Sequence, residues 1–230
     1  CIRWQTSFVD ALEANDYRLI YKTGRDLSMN SALWFWKGPM ERDLLVDVFL
    51  PAGLSISAPW KEVERQDDKI RFLPDKTSSD WESMIALGRF EVDAIEVPGA
   101  SIQLASIGKL THQQKTKLKN WIQESIAAVT AVSGHFPQPH PQVLVIPIGQ
   151  RHEAVVKAQV LRGGGLAATF YVDETRSLDE FSDDWTATHE FSHMLMPYIS
   201  SRDRWLSEGL ASYYQNVLRA RDGRLTDTQT

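Results

Sequence analysis

The strongest constraint on this chain of 230 residues is the spacing of His189, Glu190 and His193 in the pattern H-E-x-x-H. On a helix, residues i and i+4 lie on one face about one turn apart, so the two imidazoles can bind one Zn²⁺ together. Glu190 then lies beside the metal without binding it, where its carboxylate can take a proton from a metal-bound water. The spacing therefore predicts a helix that carries a metal site and a general base.

A candidate third ligand, Glu208, follows His193 after 14 intervening residues. Catalytic zinc takes three protein ligands and keeps one open position, and two histidines with one glutamate are a recurring set. Pro197 ends the first helix shortly after His193, and a second helix folded back antiparallel would bring Glu208 to the metal. We therefore expect one catalytic Zn²⁺ held by His189, His193 and Glu208. The alternative is an ordinary amphipathic helix with surface histidines and a solvated glutamate.

The first hundred residues contain mainly short apolar or alternating runs bounded by Pro, Gly, Asp and Ser, which is typical of β-strands. The clearest of these runs are 42–51, 69–74, 89–99 and 101–108.

The pattern changes near residue 109. A helix is predicted over 110–134, with Thr111 as its N-cap, and a buried strand over 143–149. Two β-prone runs within 155–174 surround three glycines, and residues 177–197 predict the helix that carries the motif. We expect an α+β fold with a β-rich domain over 1–108 and an α/β catalytic domain over 109–230. The zinc site would lie between two helices, and the second domain would continue past residue 230.

Composition excludes two classes of partner. The net charge is −5, and basic residues are scattered rather than clustered, so no electrostatic footprint for nucleic acid is present. No stretch approaches the 18 consecutive apolar residues of a membrane-spanning helix.

The single cysteine, Cys1, would be the acylated first residue of an exported, lipid-anchored protein. A chain cut from a longer, cytoplasmic one would explain Cys1 equally well.

The motif followed by W-L-S-E-G-L-A-S-Y-Y (205–214) resembles the gluzincin metallopeptidases, and most of all their glycyl aminopeptidase branch. The resemblance implies a thermolysin-like catalytic domain that hydrolyses peptide bonds in peptides or proteins. It also implies zinc ligation by His189, His193 and Glu208, with Glu190 as the base. The run that contains Gly164 and Gly165 looks like the strand with which a substrate pairs in that family.

Two departures from the family pattern bear on activity. Ala167 stands where the family has a glutamate for the substrate's amino terminus, which weakens any expectation of aminopeptidase specificity. The residue that stabilises the oxyanion lies past residue 230 or is one of Tyr171, Tyr213 and Tyr214, or else activity is impaired. The alternative to a peptidase is thus a catalytically impaired, zinc-containing module that binds peptides.

Overall fold

A computed structural model describes residues 5–14, 16–34, 44–76 and 82–225. Cys1 and the first two residues of the strand expected at 42–51 lie outside these ranges. The described chain has a mixed α+β fold, as predicted. Its strands are β1 (Ile20–Thr23), β2 (Asp26–Asn30), β3 (Val46–Phe49), β4 (Ser55–Ser57), β5 (Lys61–Gln66), β6 (Lys69–Leu73), β7 (Met84–Gly88), β8 (Val92–Val97), β9 (Ala100–Ser106), β10 (Gln142–Pro147), β11 (Val155–Leu161) and β12 (Ala167–Val172). Its α-helices are α1 (Val9–Glu13), α2 (His112–Thr130), α3 (Leu178–Asp183), α4 (Thr186–Ser192) and α5 (Arg204–Arg221).

The described strands form three sheets. One antiparallel sheet has the order β1-β2-β7-β4, and a second has the order β3-β6-β5. The largest sheet has the order β11-β12-β10-β9-β8, with parallel pairing in its centre and antiparallel pairing of both outer strands. Among the described strands, β11 is therefore an edge strand with a hydrogen-bonded neighbour strand on one side only.

Both faces of the largest sheet are covered, which explains the continuous burial of β10. Val143 and Val145 pack into an apolar cluster with residues of α2, α3, α4 and α5. Leu144 and Ile146 point to the other face and pack with Met84 of β7. Strands buried on both faces read as unbroken apolar runs, and V-L-V-I is such a run.

The five-stranded sheet takes strands from both sides of residue 108. Its strands β8 and β9 precede that residue, and β9 pairs in parallel with β10 through contacts such as Leu104 with Val143. The division into domains at residue 108 stays a prediction.

The helical segment predicted over 177–197 is two helices rather than one. Ser177 starts α3 with a capping box closed by Glu180, as the sequence indicates. The backbone then becomes extended at Asp184, whose ψ is 133°. The Asp184 carboxylate accepts a hydrogen bond of 2.7 Å from the N–H of Thr186, so it caps the start of α4. A short side chain that can bond to nearby backbone ends one helix and begins the next.

Candidate metal centre

The motif histidines lie at the end of the short helix α4. His189 is on its last turns, and His193 is the residue that caps its carboxyl end. Pro197 follows the single turn of 3₁₀ helix at His193–Leu195, so the chain leaves the helix where the sequence predicts. Helix α5 packs against α4 and carries Glu208 on its first turns.

The side chains of His189, His193 and Glu208 converge on one point. Ligand atoms of these three residues lie within 4.8 Å of one another. The Oε2 atom of Glu208 is 3.3 Å from Nε2 of His189 and 3.6 Å from Nε2 of His193. The two imidazole rings are nearly perpendicular, at 84°, with centroids 4.9 Å apart. The structure thus brings together the three residues that the sequence predicts as ligands.

The second nitrogen of each ring is engaged elsewhere. Nδ1 of His189 forms a hydrogen bond of 3.0 Å with Oε1 of Gln215, and Nδ1 of His193 forms one of 3.1 Å with the hydroxyl of Ser207. These hydrogen bonds hold the orientation of the two rings, which is the usual role of such partners in metal sites. Both Nε2 atoms are thereby directed towards Glu208, where a metal could bind.

The site fits a zinc ion by its own chemistry. Burial and the neighbouring His189 lower the pKa of His193, against the charge of Glu208, and this favours the neutral form that binds metals. The Nε2 atoms of the two imidazoles and a carboxylate oxygen therefore face one point, and Nε2 of His189 shares a hydrogen bond of 3.3 Å with Oε2 of Glu208. A cation satisfies all three groups, and two imidazoles with one carboxylate are a donor set that zinc accepts.

Glu208 is held in its charged form by its neighbours. Burial would raise the pKa of this carboxyl, but a hydrogen bond from Arg204 and the two histidines outweigh that effect and lower it. The Arg204 Nε to Glu208 Oε1 distance is 3.2 Å. Because Arg204 uses the other carboxylate oxygen, Oε2 stays directed towards the histidines.

Glu190 lies next to the ligands in an apolar setting. Burial raises its pKa to about 7, and the charge of Glu208 acts in the same direction. The backbone N–H of Val160 in β11 and the charge of Lys157 oppose this rise. A carboxyl with a pKa near neutral pH is suited to both accepting and donating a proton.

The candidate ligands line a cavity of about 850 Å³. One wall is the carboxyl end of β11, residues 158–162, and the opposite wall is formed by α4, the segment 197–201 and the start of α5. Two residues of the amino-terminal half, Lys76 and Glu82, complete the lining. Their contribution was not evident from the sequence, because no motif links them to His189.

The structure places the predicted glycines outside this cavity lining. Gly164 and Gly165 lie in the turn between β11 and β12, and Gly164 has a φ of +74°. The strand that borders the cavity is β11 instead, so the three consecutive glycines mark the turn that follows it. A role of Gly164 and Gly165 in substrate binding stays a prediction.

Tyrosines proposed for the oxyanion differ in their surroundings. Tyr171 is fully buried in β12 and packs on Tyr17, with ring centroids 4.8 Å apart. Among the described residues that line the cavity, the tyrosine is Tyr198, which follows Pro197. Sequence reasoning missed Tyr198, and its position directly after the end of the motif helix was the available signal.

Comparison with known proteins rests on structure alone, since no family model and no curated protein matches the sequence. An aminopeptidase N family protein from Idiomarina loihiensis superimposes with a TM-score of 0.63 and 14% identity, over 91% of this chain and 39% of that chain. An M1 zinc metallopeptidase from Deinococcus radiodurans superimposes with a TM-score of 0.50 and 15% identity, over 79% of this chain and 41% of that chain.

These matches show a shared fold. The described chain has the architecture of one part of the M1 zinc metallopeptidases, and it spans about two fifths of the length of the solved structures that it matches. Among the described helices, none combines the length and apolar composition that crossing a membrane requires.

Proposed function

We propose that this protein is a zinc-dependent peptidase of the gluzincin type. The observation that carries the proposal is the convergence of His189, His193 and Glu208 within 4.8 Å, with Glu190 on the same cavity. The zinc would be held by these three residues and would leave one position open towards the cavity. The likeness in fold to M1 zinc metallopeptidases supports the same class of reaction, although fold alone does not define function.

Zinc, when bound, polarises the scissile carbonyl and lowers the pKa of a water molecule towards neutrality. Glu190 takes a proton from the attacking water and transfers it to the nitrogen of the leaving amine. The N–H of Val160 orients the Glu190 carboxylate. Burial keeps the pKa of Glu190 near 7, so the group can accept a proton from water and later donate it. The hydrogen bonds from His189 to Gln215 and from His193 to Ser207 keep the two rings in place meanwhile.

The peptide substrate pairs with β11. Within the described part of the chain, the strand pairs with β12 alone, and residues 158–161 line the cavity. The N–H of Val160 is taken by Glu190, so the peptide would pair with the remaining edge groups of β11. An extended peptide can add to such an edge through backbone hydrogen bonds, which give affinity without a sequence requirement. The substrate would then cross the cavity beside Glu190 in an extended conformation.

A catalytically impaired module that binds peptides is the second candidate. It is favoured by Ala167, which stands in place of an acidic anchor and is fully buried in β12. Such a module would bind zinc and peptides without cleaving them.

The decisive experiment combines metal analysis of the purified protein with cleavage of a mixed peptide library, followed by mass spectrometry. We expect one zinc per chain and turnover that falls by about 10²–10⁴-fold in Glu190→Gln, because the general base is lost. Glu91→Gln is the matched control, since the Glu91 side chain is 87% exposed.

Protein without stoichiometric zinc, or a Glu190→Gln variant as active as the parent, would contradict the peptidase mechanism. Zinc and peptide binding with no cleavage of any library member would establish the binding module instead.

A further inference from the structure

Arg162 connects the substrate-facing strand to the end of the metal helix. It directly follows β11 and belongs to the cavity lining. Its Nη2 atom donates to the backbone carbonyl of His193 at 2.9 Å and to that of Met196 at 3.0 Å. One guanidinium nitrogen thus bridges two carbonyls that are three residues apart in the chain.

Both carbonyls stand at helix ends: His193 is the C-cap of α4, and Met196 is the C-cap of the 3₁₀ turn that follows. The last carbonyls of a helix have no partner within it and carry partial negative charge, so a cation is favourable there. The chain after His193 turns through a short 3₁₀ segment and becomes extended at Met196, whose ψ is 150°. Burial lowers the pKa of Arg162, but a guanidinium keeps its proton at physiological pH.

The same end of β11 also contacts the general base. The N–H of Val160 bonds to the carboxylate of Glu190, and Arg162, two residues later, holds the backbone of His193. The strand therefore fixes the base and a candidate ligand relative to each other. Because α4 has only 7 residues, its own hydrogen bonds give its last residue little restraint.

We propose that Arg162 is a positioning residue for His193. It holds the backbone at the end of α4 so that Nε2 of His193 stays directed at the point shared with His189 and Glu208. The inference rests on the proposed zinc site, and it adds a residue that does not touch the metal. Removing the guanidinium frees the 3₁₀ turn and misplaces the ring even though every ligand is still present.

The test measures zinc affinity by competition with a chelator, and site geometry by the visible spectrum of the cobalt(II)-loaded protein. Three variants are compared with the parent: Arg162→Met, Arg162→Lys and Arg219→Met. The last is the matched control, since Nη2 of Arg219 donates to the Asp183 carbonyl at the end of α3 at 2.6 Å. It removes the same kind of contact from a helix that carries no ligand.

We expect zinc binding at least about tenfold weaker in Arg162→Met, the size of effect seen for partners that orient ligands, together with an altered cobalt spectrum. Arg162→Lys, which keeps a charged donor, recovers part of the affinity. Arg219→Met shows reduced thermal stability with unchanged zinc affinity and spectrum.

An Arg162→Met variant with parental zinc affinity and cobalt spectrum overturns the positioning role, including the case in which only peptide binding weakens. A parent protein that binds no zinc at all overturns the proposed function itself. The two failures are therefore separate results.

Discussion

At the scale of single residues, the partners of the two histidines are neutral. Gln215 and Ser207 are hydrogen-bonded to the Nδ1 atoms of His189 and His193. A carboxylate in these places would raise the basicity of the rings, whereas an amide or a hydroxyl orients them without adding charge. The cavity already holds Glu190 and Glu208, so neutral partners limit the accumulation of negative charge around the metal.

Replacing Gln215 with leucine tests this role. We expect Gln215→Leu to weaken zinc binding by about 10–100-fold, because the His189 ring loses the hydrogen-bond partner that holds its orientation. Gln215→Glu retains an acceptor and is the control, with affinity equal to or above that of the parent. Isothermal titration with zinc measures both, and equal affinities for all three proteins would show that the Gln215 contact does not orient the ligand.

At the scale of secondary-structure elements, the turn after β11 is packed tightly against the amino-terminal half. A Cβ atom on Gly165 would lie 1.7 Å from the carbonyl oxygen of Pro59, and one on Gly163 would lie 2.3 Å from that of Glu82. The indole N–H of Trp60 donates to the carbonyl of Gly163 at 3.0 Å. These contacts require glycine, and they hold the end of β11 in position beside the cavity.

The close approach at Gly165 predicts a clear effect on stability. We expect Gly165→Ala to lower the free energy of unfolding by about 1–3 kcal/mol or more, because backbone must move to admit the methyl group. Gly209→Ala is the control, since no atom lies within 4 Å of its added Cβ and alanine favours the helix. Urea denaturation measures both changes. A Gly165→Ala protein as stable as the parent would refute the packing constraint.

At the scale of the whole molecule, the metal site makes stability depend on pH. The pKa of Glu190 is about 7 in the folded protein because of burial and the charge of Glu208, and 4.5 in an unperturbed chain. Between pH 4.5 and pH 7, Glu190 of the folded metal-free protein keeps a proton that the unfolded chain has released. Stability from this group is therefore fully present below pH 4.5 and is lost as pH rises through 7.

The Glu190→Gln variant isolates this contribution. Glutamine does not titrate, so the variant's free energy of unfolding relative to the parent should rise by about 3 kcal/mol between pH 4 and pH 8. Other groups, such as His193, titrate in both metal-free proteins, so their contributions to the difference in unfolding free energy cancel to first order. Urea denaturation across this pH range gives the difference, and a difference independent of pH would show that Glu190 ionises freely in the folded protein. Zinc should reduce the effect, since a cation favours the carboxylate.

Much of the site was predictable because the information is local. The spacing from His189 to His193 and the stop at Pro197 follow from helix geometry alone. Helix α2 was equally clear, and Thr111 is its N-cap as predicted, with a capping box closed by Gln114. The break between α3 and α4 at Asp184 was missed, because an aspartate is common both at the start of a helix and on its polar face. The sequence therefore did not distinguish these two positions.

Other parts of the fold depend on contacts between distant segments. Strand β5, with the sequence K-E-V-E-R-Q, is almost entirely exposed and has no apolar alternation to identify it. The three glycines favoured a turn over a strand edge, but the sequence did not show that Pro59 and Glu82 pack directly against that turn. Gln215 lies seven residues after Glu208, on the same helical face, but nothing in its immediate sequence marks it as a partner of His189.

Lys76 and Glu82 line the cavity but lie far in sequence from the candidate metal ligands. Genetic variation can therefore reach the two sets of residues separately. Substitutions at positions 76 and 82 would change which substrate side chains fit the cavity, while the H-E-x-x-H motif stays unchanged. For protein engineering, a small library at these two positions is thus the economical route to a cavity of altered selectivity, with the candidate metal ligands held constant.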